Sequence, residues 1–280
     1  MLKKFSLLLI SSIFLFGCAH KPLSEQQLHS LGNIVDLSTQ QHLTLSELLQ
    51  RLPAYTYVLL GEEHDQPVHH QIEAYLMQKL EQKRPLAAVV LEMLSVDQQV
   101  QINQLQQQQT ALFAEEIPAQ IGWKHWDWHQ YQDLIVSRLS SATPLIAANL
   151  TEAEIKTLYA GAQPLRGSIS VTPQVRTQLA QLIQAHHPLP PNILEKAVTV
   201  QQFRDRRMAE MLVKNTPNST AYALLAAGNN HVRKDLGVPL HLQDFDHKNK
   251  AKTISIMLKS QRSEAAAITL QQADYVWLTE

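Results

Sequence analysis

Tyr57-Val58-Leu59-Leu60-Gly61-Glu62-Glu63-His64-Asp65 opens the stretch that decides the fold, and Ala87-Ala88-Val89-Val90-Leu91-Glu92-Met93 closes it. Each begins as a continuous, β-prone apolar run, the pattern of a strand buried on both faces of a parallel sheet. Between them Val68, Ile72, Tyr75, Leu76 and Leu80 keep the i, i+3, i+4 spacing of an amphipathic helix. Asp65 stands near its cap, Pro67 falls in its first turn and Pro85 lies beyond its end. Strand, helix, strand is a βαβ unit, expected to cross over right-handed.

Working outward, three further runs read as strands: Pro144 to Ala148, Ala221 to Leu225 and Ile254 to Leu258. The fold class is therefore α/β, a mainly parallel sheet with flanking helices. The span 151–215 has helical patterns throughout. It is long for one crossover, so part of it is expected to form a smaller helical subdomain. Gln98 to Gln109 holds only Ile102 and Leu105 as apolar residues and reads as the wet side of a helix. There is no internal repeat of 20 to 50 residues.

The amino terminus carries a different message. Lys3 and Lys4 precede the apolar run Phe5 to Phe16, and Leu15-Phe16-Gly17-Cys18 follows. This is a secretory signal in order, too short to remain as a bilayer-spanning helix, which takes roughly 20 apolar residues. A small residue followed by cysteine resembles the bacterial lipobox. Cys18 is also the only cysteine in the chain, so it has no intramolecular disulfide partner. The expectation is a signal peptide over 1–18, lipidation at Cys18, a polar tether over 19–43 and an α/β domain over 44–280. Two or more acyl chains make such anchoring stable. Ala19 after the cysteine, where an inner-membrane retention signal has Asp, points to the periplasmic face of a bacterial outer membrane. With 45% hydrophobic and 18% charged residues and a net charge of −1, the remainder is globular, and nothing favours nucleic acid.

Open α/β sheets bind ligands beyond the carboxyl ends of their strands. Glu62, His64, Glu92, Asn149 and His231 all fall there and are expected to ring one crevice. Gly61 to His64 and Gly228 to His231 are two Gly-x-x-His turns, each directly after an apolar strand. Glycine allows a sharp exit and close backbone approach. The structural alternative is that these carboxylates and imidazoles pair and tie loops together. His69 and His70 start the following helix, whose positive end favours neutral rings. At most one of two adjacent helix residues faces the crevice; the other is left to solvent or packing. Trp123, His125, Trp126, Trp128, His129 and Tyr131 form a second cluster. His125 and His129 are i, i+4 if helical, a metal-holding spacing, against the alternative that the aromatics wedge a helix on the sheet. His186 and His187 look like surface, and Arg204, Arg206 and Arg207 like a charged helix face.

The motifs Val58 to Asp65 with His69-His70, Val90 to Met93, Trp128 with Tyr131, Ala147 to Leu150, Asp205 with Met208-Ala209, and Gly228 to Arg233 followed by Gly237-Val238-Pro239 resemble the ChaN family of haem-binding lipoproteins. They span most of the chain after the signal. The resemblance implies haem as the ligand, a role in haem-iron acquisition, and an outer-membrane haem receptor and a second copy of the chain as candidate partners. Haem needs an axial ligand, apolar walls and cations for its propionates. His, Tyr and Met are all available as axial ligands; a single anionic Tyr would suit Fe(III) and haem release, with the ligand and the particular Tyr left open, and Arg233 is the propionate candidate. ChaN is similar in turn to a superfamily with the Tiki proteases and erythromycin esterases. Carried over from the Tiki branch, the two Gly-x-x-His motifs imply the rival reading, a metal-dependent hydrolase holding a divalent ion such as zinc or manganese.

Overall fold

A computed structural model describes residues 24, 27, 28, 30–108, 112–216, 221–246, 251–261 and 268–280. The signal peptide and Cys18 lie outside the described residues. The strand β3 (Tyr57–Glu62) is buried at all six positions. Helix α2 (Pro67–Glu81) starts on proline, ends with Lys79 in its last turn and buries Ile72, Leu76 and Leu80 along one stripe. Strand β4 (Leu86–Ser95) follows it. The other expected strands form as β5 (Leu145–Asn149), β6 (Tyr222–Gly228) and β7 (Thr253–Ser260).

Three strands join that the sequence reading did not include. They are β1 (Gly32–Asp36), β2 (Gln41–Leu43) and, at the end of the chain, β8 (Tyr275–Thr279). Among the described residues eight strands run in the order β2-β1-β8-β7-β3-β6-β4-β5. From β8 to β5 every neighbouring pair is parallel; β1 is antiparallel to both β8 and β2. Residues 32–36 and 41–43, expected within the tether, thus belong to the sheet. Ile34 and Leu43 are buried there, and Leu28 just before them is wholly buried, so apolar side chains hold this segment to the domain.

The remaining helices cover both faces. They are α1 (Leu45–Arg51), α3 (Gln99–Gln107), α4 (Ile117–Ile121), α5 (Trp128–Leu139), α6 (Glu152–Gly161), α7 (Pro173–His186), α8 (Pro191–Lys214), α9 (Asn229–Val232) and α10 (Val238–Phe245). Strand side chains alternate between the two layers. Val58, Leu60, Val89, Leu91, Leu224 and Ala226 pack with α2 and α5 on one face. Leu59, Ala88, Val90, Leu225 and Ala227 pack with Met208, Ala209 and Leu212 of α8 on the other. Truncating one of these, Leu59→Ala for example, typically costs about 2–5 kcal/mol.

Inserting β6 between β3 and β4 is what builds the site. Glu62 is in register with Gly228, and Leu91 with Ala226, so three carboxyl ends finish side by side. The two motif glycines interlock there. A side chain on Gly61 would collide with Val232 and Asn229, and one on Gly228 would lie 2.6 Å from the His64 Nε2. Both glycines are needed for close approach between the two turns.

Candidate functional site

At the strand ends, carboxylates and imidazoles alternate in one network. His64 Nδ1 lies 2.7 Å from Glu62 Oε1, and Tyr131 Oη donates to the same oxygen at 2.5 Å. His70 Nε2 is 3.2 Å from Glu62 Oε2, and its ring stacks on Tyr131 at 4.0 Å between centroids. On its other side His64 Nε2 faces Glu92 Oε2 at 3.8 Å. Glu92 accepts from the Gly228 amide at 2.8 Å and lies 3.0 Å from His231 Nε2. Asp205 of α8 closes the chain, 2.5 Å from His231 Nδ1. Trp126 covers His64, with ring centroids 4.5 Å apart.

Burial penalises every charge in this network, so each survives only through its neighbours. Burial works to raise Glu62, yet the His64 and His70 imidazoles outweigh it and hold the carboxyl well below its usual range. Burial likewise opposes the Glu92 charge, which His231 and His64 keep, lowering its pKa to about 2. For His231 burial alone would favour the neutral ring; Glu92 and Asp205 reverse this and raise its pKa to about 10. His64 shifts the same way, burial being outweighed by Glu62 and Glu92. Asp205 stays raised, to about 6, because burial exceeds the pull of His231. Glu73, wholly buried one turn along α2, is pushed well above the ordinary carboxylate value by burial and by Glu62. Burial and Glu62 also push the Tyr131 phenol far above its ordinary value.

The structure brings Glu62, His64, His70, Glu92 and His231 together, as the strand-end reading expects. His69 faces away. It is wholly buried, accepts from the Glu63 amide at 3.0 Å and touches Thr279, and burial lowers its pKa to about 4. Asn149 lies at the rim as a backbone clamp, donating to the Glu92 carbonyl at 3.0 Å. Arg233 is held locally. Its guanidinium pairs with Asp235, two residues along, through Nε and Nη2 at 2.9 and 2.7 Å. His125 and His129 do not share a helix face: His125 precedes α5 in a left-handed conformation, φ +69°, and both are exposed. The aromatics of that cluster instead pack α5 on the sheet, as Tyr131 and the partly buried Trp123 and Trp128 show. Among the described residues no three His, Cys, Asp or Glu side chains converge as a metal-holding group.

Beside the network runs a groove of about 620 Å³. Helix α8 is its floor, with Val200, Gln201 and Arg204; α6 and α7 are its walls, with Tyr159 on one and Leu179, Leu182 and Ile183 on the other. Gln201 joins groove to network, its Nε2 lying 3.1 Å from His231 Nδ1. His186 and His187, expected as surface, are exposed and stand on the groove's edge. A larger depression of about 830 Å³ lies elsewhere, lined by Ala251 and Thr253 at the start of β7 and by Lys234 and Asp235.

Residues 48–242 match the family described as haem-binding uptake, Tiki superfamily, ChaN. The chain belongs to the ChaN family. Its fold is similar to that of the ChaN protein of Campylobacter jejuni, solved with cofacially bound haem: 31% identity, TM-score 0.78, covering 89% of this chain and 97% of that one. A mutant erythromycin esterase, EreC, in its open conformation is 14% identical with TM-score 0.47, covering 89% of this chain and 82% of that one. The type III effector HopBA1 is 12% identical with TM-score 0.46, covering 83% and 91%. A comparison with curated protein sequences finds no match. Haem, the cofactor the sequence pointed to, is the one this ChaN family binds.

This ChaN chain has seven tyrosines. Tyr57, Tyr75, Tyr131, Tyr222 and Tyr275 are buried. Tyr55 is half-buried at the opposite, amino-terminal end of β3. Tyr159 alone combines exposure, 36%, with a place in a groove at the strand carboxyl ends. Its sequence neighbours look like any helix, and only the packing of α6 on α8 sets it apart.

Proposed function

We propose that this protein is a lipid-anchored haem carrier on the periplasmic face of a bacterial outer membrane, and that Tyr159 ligates ferric haem in the three-helix groove. The observation that carries the reading is Tyr159 itself, an accessible phenol on an apolar-walled groove. The groove's size falls within the roughly 300–1,000 Å³ of small-molecule sites. Leu179, Leu182, Ile183 and Val200 suit a macrocycle, and a hard anionic oxygen suits Fe(III). A phenol binds as phenolate once the cation compensates its charge, and a single ligand keeps haem releasable.

Lys3, Lys4, the Phe5 to Phe16 run and Cys18 support the anchor, and Ala19 supports the outer membrane. A haem carrier there serves iron acquisition and receives its cargo from an outer-membrane haem receptor. Cofacial binding in the Campylobacter relative means two haems face to face. By that likeness two copies of this chain meet across their grooves when loaded, which sedimentation with and without hemin would test. The hydrolase alternative has no observation that favours it over haem.

The test is a hemin titration of the protein lacking residues 1–18. Saturation at one haem per chain with a shifted Soret band, lost in Tyr159→Phe, is expected. Purified protein carrying zinc or manganese, cleaving ester or peptide and leaving the hemin spectrum unaltered, would overturn the proposal.

A further inference from the structure

We infer that Arg204 makes the groove selective for a tetrapyrrole with a free carboxylate, its guanidinium taking a haem propionate. The inference rests on the groove being the haem site and adds the residue that reads the cargo's anionic edge.

Arg204 projects from the groove floor, and its Nε is buried without a hydrogen-bond partner. Its situation differs from that of the other inward arginines among the described residues. Arg206 pairs with Asp244 at 2.7 Å, Arg207 with Glu154 at 2.6 Å, Arg233 with Asp235 at 2.7 Å and Arg138 with Glu81 at 3.1 Å. Asp205, its neighbour in the chain, feels the Arg204 charge but spends its Oδ1 on His231. A guanidinium offers five N–H donors and no acceptor, and with its Nε buried and unpartnered on a half-buried side chain, Arg204 is suited to an anion in the groove. Carboxylates satisfy it through paired, charge-assisted bonds. Among the described residues the groove lining is mainly apolar, with His186, His187, Gln201 and Asn230, and includes no carboxylate. Haem's propionates are its anionic groups, and the Tyr159 wall is left to the iron.

The experiment compares hemin with hemin dimethyl ester on the protein lacking residues 1–18, in wild type, Arg204→Gln and Arg204→Lys. Hemin should bind Arg204→Gln at least tenfold more weakly, with the Soret position unchanged because Tyr159 still ligates. The ester should bind wild type and Arg204→Gln equally, and Arg204→Lys should recover part of the hemin loss. Arg204→Gln binding hemin like wild type, or losing hemin and ester alike, overturns the inference. If Arg204→Gln fails to fold, wild type still decides: equal affinity for hemin and ester overturns it. Tyr159→Phe separates the two levels. If that variant keeps the wild-type spectrum and affinity, the groove is not the haem site and both readings fall. If it loses the spectrum while Arg204→Gln binds normally, only the Arg204 role falls.

Discussion

Tyr131 Oη donates to Glu62 Oε1 across 2.5 Å, and that bond separates the two tyrosines closest to the ligand chemistry. A phenol held neutral against a carboxylate, in a stacked and buried position, is poorly placed to become an iron phenolate. Tyr131→Phe should leave the hemin spectrum unchanged and destabilise the fold by roughly 1–3 kcal/mol, the usual cost of stranding a buried partner. At this size each kcal/mol moves Tm by about 2–4 °C. A Soret change with unaltered Tm would reverse the assignment of the two tyrosines.

The crevice histidines are predicted to hold the fold together. In the double variant His64→Gln and His231→Gln, Glu62, Glu92 and Asp205 lose the imidazoles that compensate them. Stranding one buried charge typically costs about 3–5 kcal/mol. Differential scanning calorimetry should show a large Tm drop, with hemin affinity of the folded fraction within a few-fold of wild type. A stable variant that binds hemin at least tenfold more weakly would make the crevice part of the ligand site.

Stability should also fall on the alkaline side. The folded pKa of His231, raised to about 10, lies above the ordinary histidine value, and His64 shifts in the same direction. Their contribution is complete below the unfolded pKa, about 6.5, and is lost as pH rises toward the folded value. Tm should decline steadily from pH 6.5 to 9, before tyrosines titrate, and the decline should be shallower in His231→Gln. A flat wild-type profile over that range would show that His231 is neutral in the folded protein.

Cys18→Ser should abolish incorporation of labelled acyl chain and release the protein from the membrane fraction, or trap it as precursor. Continued membrane fractionation with label would remove the lipoprotein assignment.

Much of the architecture was legible in the amino-acid sequence because buried parallel strands need unbroken apolar runs. β3 to β7 announce themselves that way, and Gly61 and Gly228 mark the turns that must touch. β1 and β2 are short edge strands with polar residues such as Asn33, Asp36 and Gln41, and they alternate too briefly to stand out from a tether. β8 carries its own β-rich signal in Tyr275-Val276-Trp277-Leu278-Thr279. Glu62, His64, Glu92 and His231 could be placed together because strand ends converge. Glu73, Asp205 and Gln201 lie on ordinary helix turns, and only the packing of α2 and α8 on the sheet brings them in. The pairing of Arg233 with Asp235 is a local contact that motif position does not reveal. Tyr159 and Arg204 acquire meaning only when α6, α7 and α8 enclose a groove.

The central claim is that Tyr159 binds the iron, and resonance Raman spectroscopy of the ferric haem complex tests it most directly. Excitation into the phenolate-to-iron charge-transfer band should give tyrosinate ring modes and an iron–phenolate stretch in the wild type. Both should vanish in Tyr159→Phe and persist in Tyr131→Phe. Tyrosinate modes that survive in Tyr159→Phe, or a wild-type spectrum of histidine-ligated haem, would contradict the account.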